Sequence, residues 1–172
     1  MAQLEWSDAL ALDLDLMDDT HREFVDLLAV VDHADDAQLL PAWERLVEHT
    51  EQHFGQEDAW MASTRFASGN CHSMQHRVVL QVMREGAALA RQGDEKVLRV
   101  MASELALWFP QHAQSMDAAL ALHLRRVGFD PATGVVHAPQ ALPGELVHGC
   151  GGATCSDASS LGAVQSVQAA LA

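Results

Sequence analysis

The 172-residue chain is short of basic residues, of cysteine and of long apolar runs. Ten Lys and Arg stand against 24 Asp and Glu, for a net charge of -14. Residues 1 to 60 hold sixteen of the acidic groups and only Arg22 and Arg45 against them. That balance repels phosphate backbones and excludes nucleic acid as a partner. Residues 61 to 130 are close to neutral, so the acidic face reads as a solvated surface that aids solubility. No run approaches the roughly 18 apolar residues of a spanning helix. The start, MAQLEWSDAL, has neither a basic region nor an apolar one, and the expectation is a soluble, cytoplasmic protein without membrane contact. Three cysteines, an odd number, make a poor disulfide framework, and reduced thiols are expected. There is no internal repeat, and the length suits one core.

From about residue 18 to 127, apolar side chains recur every three or four positions, the mark of amphipathic helices. A first helix carries His21, Phe24, Val25, Leu28 and Val31, with Thr20 and Glu23 spaced as a capping box near its start. A second starts near Leu39 or Pro41 and presents Trp43, Leu46, Val47, Thr50, His53, Phe54, Glu57 and Met61. A third follows Ser68, Gly69 and Asn70 and runs through His72, His76, Val79, Met83, Gly86 and Leu89. A fourth opens near Asp94 and continues through Trp108 and His112 to Val127, ending at Gly128. Short connections make sequence neighbours antiparallel, which predicts an all-α, up-down-up-down four-helix bundle over residues 1–130. Residues 9 to 16, ALALDLDL, alternate apolar and acidic with no second strand to pair with, and are expected as an extended N-terminal arm. Residues 131–172, rich in Gly, Ala, Ser and Pro, are expected as a flexible C-terminal tail.

Ten histidines matter less by count than by place. His53 and Glu57 lie one turn apart on an inner face, and His72 and His76 repeat that spacing on the next helix, roughly 6 Å apart along each axis. His21, His112 and Asp117 bring the candidate metal ligands to seven, with every helix contributing. A lone imidazole on an apolar face is usually an ordinary core histidine. Buried Glu57 and Asp117 are a different matter, because each would cost several kcal/mol without a compensating cation. Asp117 follows His112 by five residues, about 140° around a regular helix, so the turn must be modified. Pro110 can loosen it, or a π-type bulge can bring the two side chains together.

Five imidazoles and two carboxylates exceed a closed zinc site, and no cysteine joins them. With both carboxylates bridging and one oxo or hydroxo bridge, the set fills all but one position of two octahedral ions. Imidazole and carboxylate on a redox-active pair suit iron, ahead of manganese.

A histidine near the start of the first helix, then HFGQE (His53 to Glu57), HSMQH (His72 to His76) and WFPQHAQSMD (Trp108 to Asp117), resemble the hemerythrin family, its single-domain bacterial members above all. The resemblance covers residues 4 to 129, with all seven ligand types at matching spacings, and includes Trp6 and Met61. It implies an oxo- or hydroxo-bridged di-iron centre that binds O₂ reversibly, as a carrier, store or sensor rather than an enzyme. His72, His76 and His112 would hold one iron and His21 and His53 the other, with Glu57 and Asp117 bridging. The open position would lie on the iron with two imidazoles. The rival reading is a di-iron oxidase, peroxidase or ferroxidase, or a protein that handles iron or NO. Oxidase sites in bundles use Glu-x-x-His pairs, and the one such pair here, Glu145 to His148, lies in the tail. Two residues depart from the family pattern: Ala113 stands where an aliphatic side chain commonly follows the ligand, and Pro110 sits within the helix. Both are expected to make the pocket wetter and oxidation faster.

His49 is expected as an ordinary, partly buried histidine rather than a ligand, with a pocket wall or hydrogen-bonding neighbour as the alternative, and His33, His123 and His137 as lying outside the site. Cys71 is expected as a small packed thiol. The tail's HGCGGATC, with His148, Cys150 and Cys155, offers a metal, disulfide or protein-partner site of low specificity.

Overall fold

The computed structural model describes residues 4–66 and 71–145. It contains helices α1 (Asp15–His33), α2 (Asp36–Ser63), α3 (Cys71–Arg91) and α4 (Lys96–His112). A π-helical turn, Ala113–Asp117, joins α4 without interruption to α5 (Ala118–Arg126), so α4 and α5 form the fourth rod of the bundle. Each rod packs on its sequence neighbour, and α1 closes the ring against α4. The expected four-helix bundle is what forms. Among the described residues no helix is long and apolar enough to cross a membrane.

Helix starts differ from expectation, and local hydrogen bonds say why. Asp13 takes a left-handed φ of 56°, which breaks the chain just before α1. Asp18 then accepts the Leu12 backbone N–H at 2.8 Å, so α1 begins five residues ahead of Thr20. Thr20 makes no capping box; its hydroxyl donates to the Leu16 carbonyl at 2.8 Å. α2 begins at Asp36 because Asp35 caps it, accepting the Gln38 N–H at 2.9 Å, and Pro41 falls in the second turn. Gly128, at φ 61°, ends α5 in the left-handed position that a closing glycine allows.

The N-terminal arm lies along the bundle. Leu10 is buried, Trp6 packs 4.6 Å from the Arg22 guanidinium, and Arg125 donates to the Leu12 carbonyl. Past α5 the chain does not at once run free. Strands β1 (Phe129–Asp130) and β2 (Val135–Val136) pair antiparallel, Phe129 against Val136, and a 3₁₀ turn at Pro139–Ala141 follows. His148, Cys150 and Cys155 lie outside the described residues.

Two apolar cores divide the interior. The larger gathers Phe24, Leu28, Trp43, Leu46, Met83, Leu98, Met101 and Leu105. The smaller gathers Met17, Trp60, Met61, Leu120, Leu124 and Phe129. Each such side chain contributes about 1.5–3 kcal/mol by leaving water. Beside these cores every rod buries polar groups: His21 on α1, His53 and Glu57 on α2, His72 and His76 on α3, and His112 and Asp117 on the fourth. Such a layer stands only if something satisfies it.

Candidate metal centre

All seven predicted side chains meet in that layer, each at most 3% exposed. Two overlapping groups have ligand atoms close enough to share an ion: His21, His53 and Glu57, and Glu57, His72, His76, His112 and Asp117. The π turn reconciles the five-residue spacing on the fourth rod, bringing His112 Nε2 within 3.1 Å of Asp117 Oδ1. It begins three residues after Pro110, whose missing N–H leaves one rung of the ladder empty.

The carboxylates each face two ways. Glu57 Oε1 lies 3.1 Å from His53 Nε2 and 3.7 Å from His21 Nε2, while its Oε2 lies 3.3 Å from His72 Nε2 and 3.4 Å from His76 Nε2. Asp117 Oδ2 lies 3.3 Å from His21 Nε2, and its Oδ1 lies 2.9 Å from His72 Nε2. One oxygen of each carboxylate thus turns toward the His21–His53 side and the other toward the His72–His76–His112 side.

The His53–Glu57 contact is a hydrogen bond, but the other short distances have directions wrong for mutual hydrogen bonds. His21 Nε2, His72 Nε2, Glu57 Oε2 and both Asp117 oxygens are buried without a hydrogen-bond partner. An unsatisfied buried polar atom costs about 1–3 kcal/mol, more if charged, so five together require another occupant. On the far side of two rings, Asp58 accepts from His76 Nδ1 at 3.0 Å and Gln75 Oε1 accepts from His112 Nδ1 at 3.3 Å. With Nδ1 protonated in both, their Nε2 lone pairs face each other at 3.2 Å, an arrangement that a proton or a cation between them must relieve. The donor set fits cations held between these groups.

Electrostatics agree. Burial acts to raise the Glu57 and Asp117 carboxyls, but the surrounding imidazoles outweigh it and hold both well below the usual range. Burial likewise opposes protonation of His72 and His21, yet Asp117 and Glu57 push His72 up to about 10 and His21 up to about 9. His112 goes the other way, to about 4, because burial dominates there. Without metal, protons stand where cations would.

Aromatic rings wall the layer. Phe54 stacks on His76 at 4.0 Å, Trp108 on His112 at 4.4 Å, and Phe109 meets His21 edge-on at 5.2 Å. Trp108 Nε1 also donates to Gln75, fixing the amide that orients His112. Asp58 and Gln75 were missed from the sequence, although each adjoins a candidate ligand in the chain, Glu57 and His76.

The other histidines among the described residues lie off the cluster. His49 donates through Nε2 to the Thr20 carbonyl at 3.2 Å and stays off the ligand cluster. His33 and His123 bond the carbonyls of Ala29 and Thr64, and His137 sits beyond the bundle beside Gly128. Cys71 is disulfide-bonded, which corrects the expectations of reduced thiols and of a small packed thiol: it is the half-exposed first residue of α3, where burial does not sequester it.

Residues 12–122 match the family described as the Hemerythrin HHE cation binding domain. Over 130 residues the chain is 36% identical to a bacteriohemerythrin of Ralstonia nicotianae, covering 76% of this chain and 95% of that protein. No solved structure matches. A match over most of the bundle, a relative aligned almost end to end, and seven buried ligand groups set in one layer lead to one conclusion: the chain belongs to the hemerythrin family.

Proposed function

We propose that the protein is a non-heme di-iron protein that binds O₂ reversibly. The observation that carries this reading is the two-way orientation of Glu57 and Asp117, each with one oxygen toward each group of imidazoles. Two carboxylates so placed could each serve both sides of the layer. His72, His76 and His112 would hold one iron, and His21 and His53 the other. The pair, when bound, would supply a redox couple able to take O₂.

The chain's own residues set the rest. Asp58 and Gln75 hold His76 and His112 in the tautomer that turns Nε2 inward. Phe54, Trp108 and Phe109 cover His76, His112 and His21, and limiting water on those sides favours reversible binding over loss of electrons to solvent species. Among the described residues of the bundle, every acid at the cluster is either a bridge or, as with Asp58, bonded to a ligand ring. No carboxylic acid stands ready to protonate and cleave an O–O bond, so carriage or storage is favoured over enzymatic turnover. The functional unit is the bundle through residue 130, with residues 131–172 an appendage to it.

The test is anaerobic loading with ferrous iron, exposure to O₂ and then its removal, followed by optical spectra. Repeated cycling between two spectra supports carriage. Irreversible oxidation with substrate turnover or release of iron would replace this reading with that of an oxidase, peroxidase or iron-handling protein.

A further inference from the structure

The two sides of the metal layer differ in how their ligand rings are held from behind. On one side, His76 and His112 have protein acceptors at Nδ1, Asp58 at 3.0 Å and Gln75 at 3.3 Å. On the other, neither His21 nor His53 has any partner at Nδ1, although both rings are buried. Metal-bound imidazoles almost always donate that hydrogen, because the bond fixes the ring and raises its basicity. His72, on the first side, also has no partner at Nδ1, so two of the three rings there are braced and neither ring of the other side is.

The rings of His21 and His53 do not share a setting. His21 lies edge-on to Phe109, which itself stacks on Phe24, so it borders the dry core. His53 instead forms part of the wall of a cleft of about 250 Å³ between α1 and α2. The other walls are Thr20, Glu23, His49, Gln52 and Gln56, all polar. At about 30 Å³ per molecule such a space takes several waters, and its lining supplies the polar partners that ordered water requires.

His49 is placed to hold such a water. Its Nε2–H is spent on the Thr20 carbonyl, so in the neutral ring Nδ1 is left as an acceptor. That nitrogen lies 3.7 Å from the exposed Glu23 carboxylate, at the outer side of the cleft. The His49 and His53 ring centres are 6.1 Å apart, too far for a direct bond and suited to one water between them.

We propose that the α1–α2 cleft is a built water site: an ordered water held by His49, Gln52 and Gln56 accepts the Nδ1 hydrogen of His53 and links that ligand to solvent. The inference rests on the di-iron reading and adds to it a solvent port on the side that carries the open position. His49 is then a positioning residue for the port rather than a ligand.

The experiment uses the full chain loaded anaerobically with ferrous iron. Proton NMR resolves the iron-shifted imidazole N–H signals, assigned with ¹⁵N-histidine labelling, and saturation transfer from water gives their exchange rates. The His53 N–H is expected to exchange about tenfold faster than those of His76 and His112, whose acceptors are protein groups. His49→Phe, which removes the water's acceptor and caps the cleft, is expected to slow it about tenfold, while His49→Gln keeps it near the original rate. A His53 signal as slow as those of His76 and His112 in the unaltered protein overturns the proposal, and that comparison needs no variant. So does an unchanged rate in an iron-loaded His49→Phe protein. Absence of any iron-shifted N–H would overturn the di-iron reading itself, and the port with it.

Discussion

Loading the centre must expel protons, and the structure says how many. Without metal, His21 is pushed up to about 9 and His72 up to about 10, while Glu57 and Asp117 are held well below their usual range. At pH 7 the two imidazoles are charged, the two carboxylates are ionised, and the four neutralise one another. A metal can take Nε2 only from a neutral ring, so binding displaces both protons. At least about two protons per chain are therefore expected from these rings, with the proton between His76 and His112 and any water that becomes a bridge adding to that number. The logarithm of the apparent affinity should rise with pH at a slope of about two from pH 7 to 9, then flatten as His21 and His72 titrate. Metal-free stability follows from the same shifts with the opposite sign. The raised histidines stabilise the fold fully below their ordinary pKa of 6.5, and that contribution is lost as pH rises through 9 and 10. The lowered carboxylates stabilise it above their ordinary values of 4.5 and 3.8, and that part is lost as pH falls further. The metal-free melting temperature should thus be highest between about pH 5 and 6.5 and decline toward pH 10. An anaerobic titration with ferrous iron in a pH-stat counts the protons directly. Release of fewer than about one proton per chain at pH 7 would refute the charge assignment, because the imidazoles would then be neutral before metal arrives.

Glu57→Ala removes an oxygen from each side of the layer and should reduce iron from two per chain to at most one, whereas His49→Ala should leave the pair assembled; metal analysis after desalting decides. Ala113→Ile should slow oxidation of the O₂-bound form, read from the decay of its optical spectrum, and equal or faster decay would sink the argument. Because Ala113 is fully buried, the same variant should lose about 1–3 kcal/mol of stability through overpacking, seen as a lower melting temperature. Deleting Ser115 should turn the π turn into regular helix with His112 and Asp117 at i and i+4, so the variant should fold cooperatively and still bind iron, and non-cooperative melting would refute this.

Much of the site was legible because helical periodicity turns spacing into direction. His53 with Glu57, and His72 with His76, are each one turn apart, and one turn is all that two ligands on one face need. The five-residue step to Asp117 was legible as a conflict: a regular helix could not satisfy it, and the π turn after Pro110 does. The start of α1 was not legible. Asp13 and Asp15 alternate with leucines as a strand would, and only the left-handed φ at Asp13 and the Leu12 to Asp18 bond show where the arm ends. Thr20 and Glu23 had the spacing of a capping box already inside a helix, which spacing alone does not distinguish. Asp58 and Gln75 were hidden for a different reason. Their roles depend on how far α2 stands from α3 and α3 from α4, and no pattern within one helix encodes that distance.

The missing partners behind His21 and His53 give the layer a direction. Where His76 and His112 are braced by protein groups, ring orientation and basicity are fixed when the bundle folds. Where His53 borders a polar cleft, its orientation depends on what fills that cleft. The better-braced side is also the one with three imidazoles, so it should take metal first and release it last. Occupied first, it fixes Glu57 Oε2 and Asp117 Oδ1, which aims the opposite oxygens at the second position. Sequential binding, with the His21–His53 side weaker and more sensitive to changes at the cleft, then follows from geometry alone. It needs no difference between the two ions.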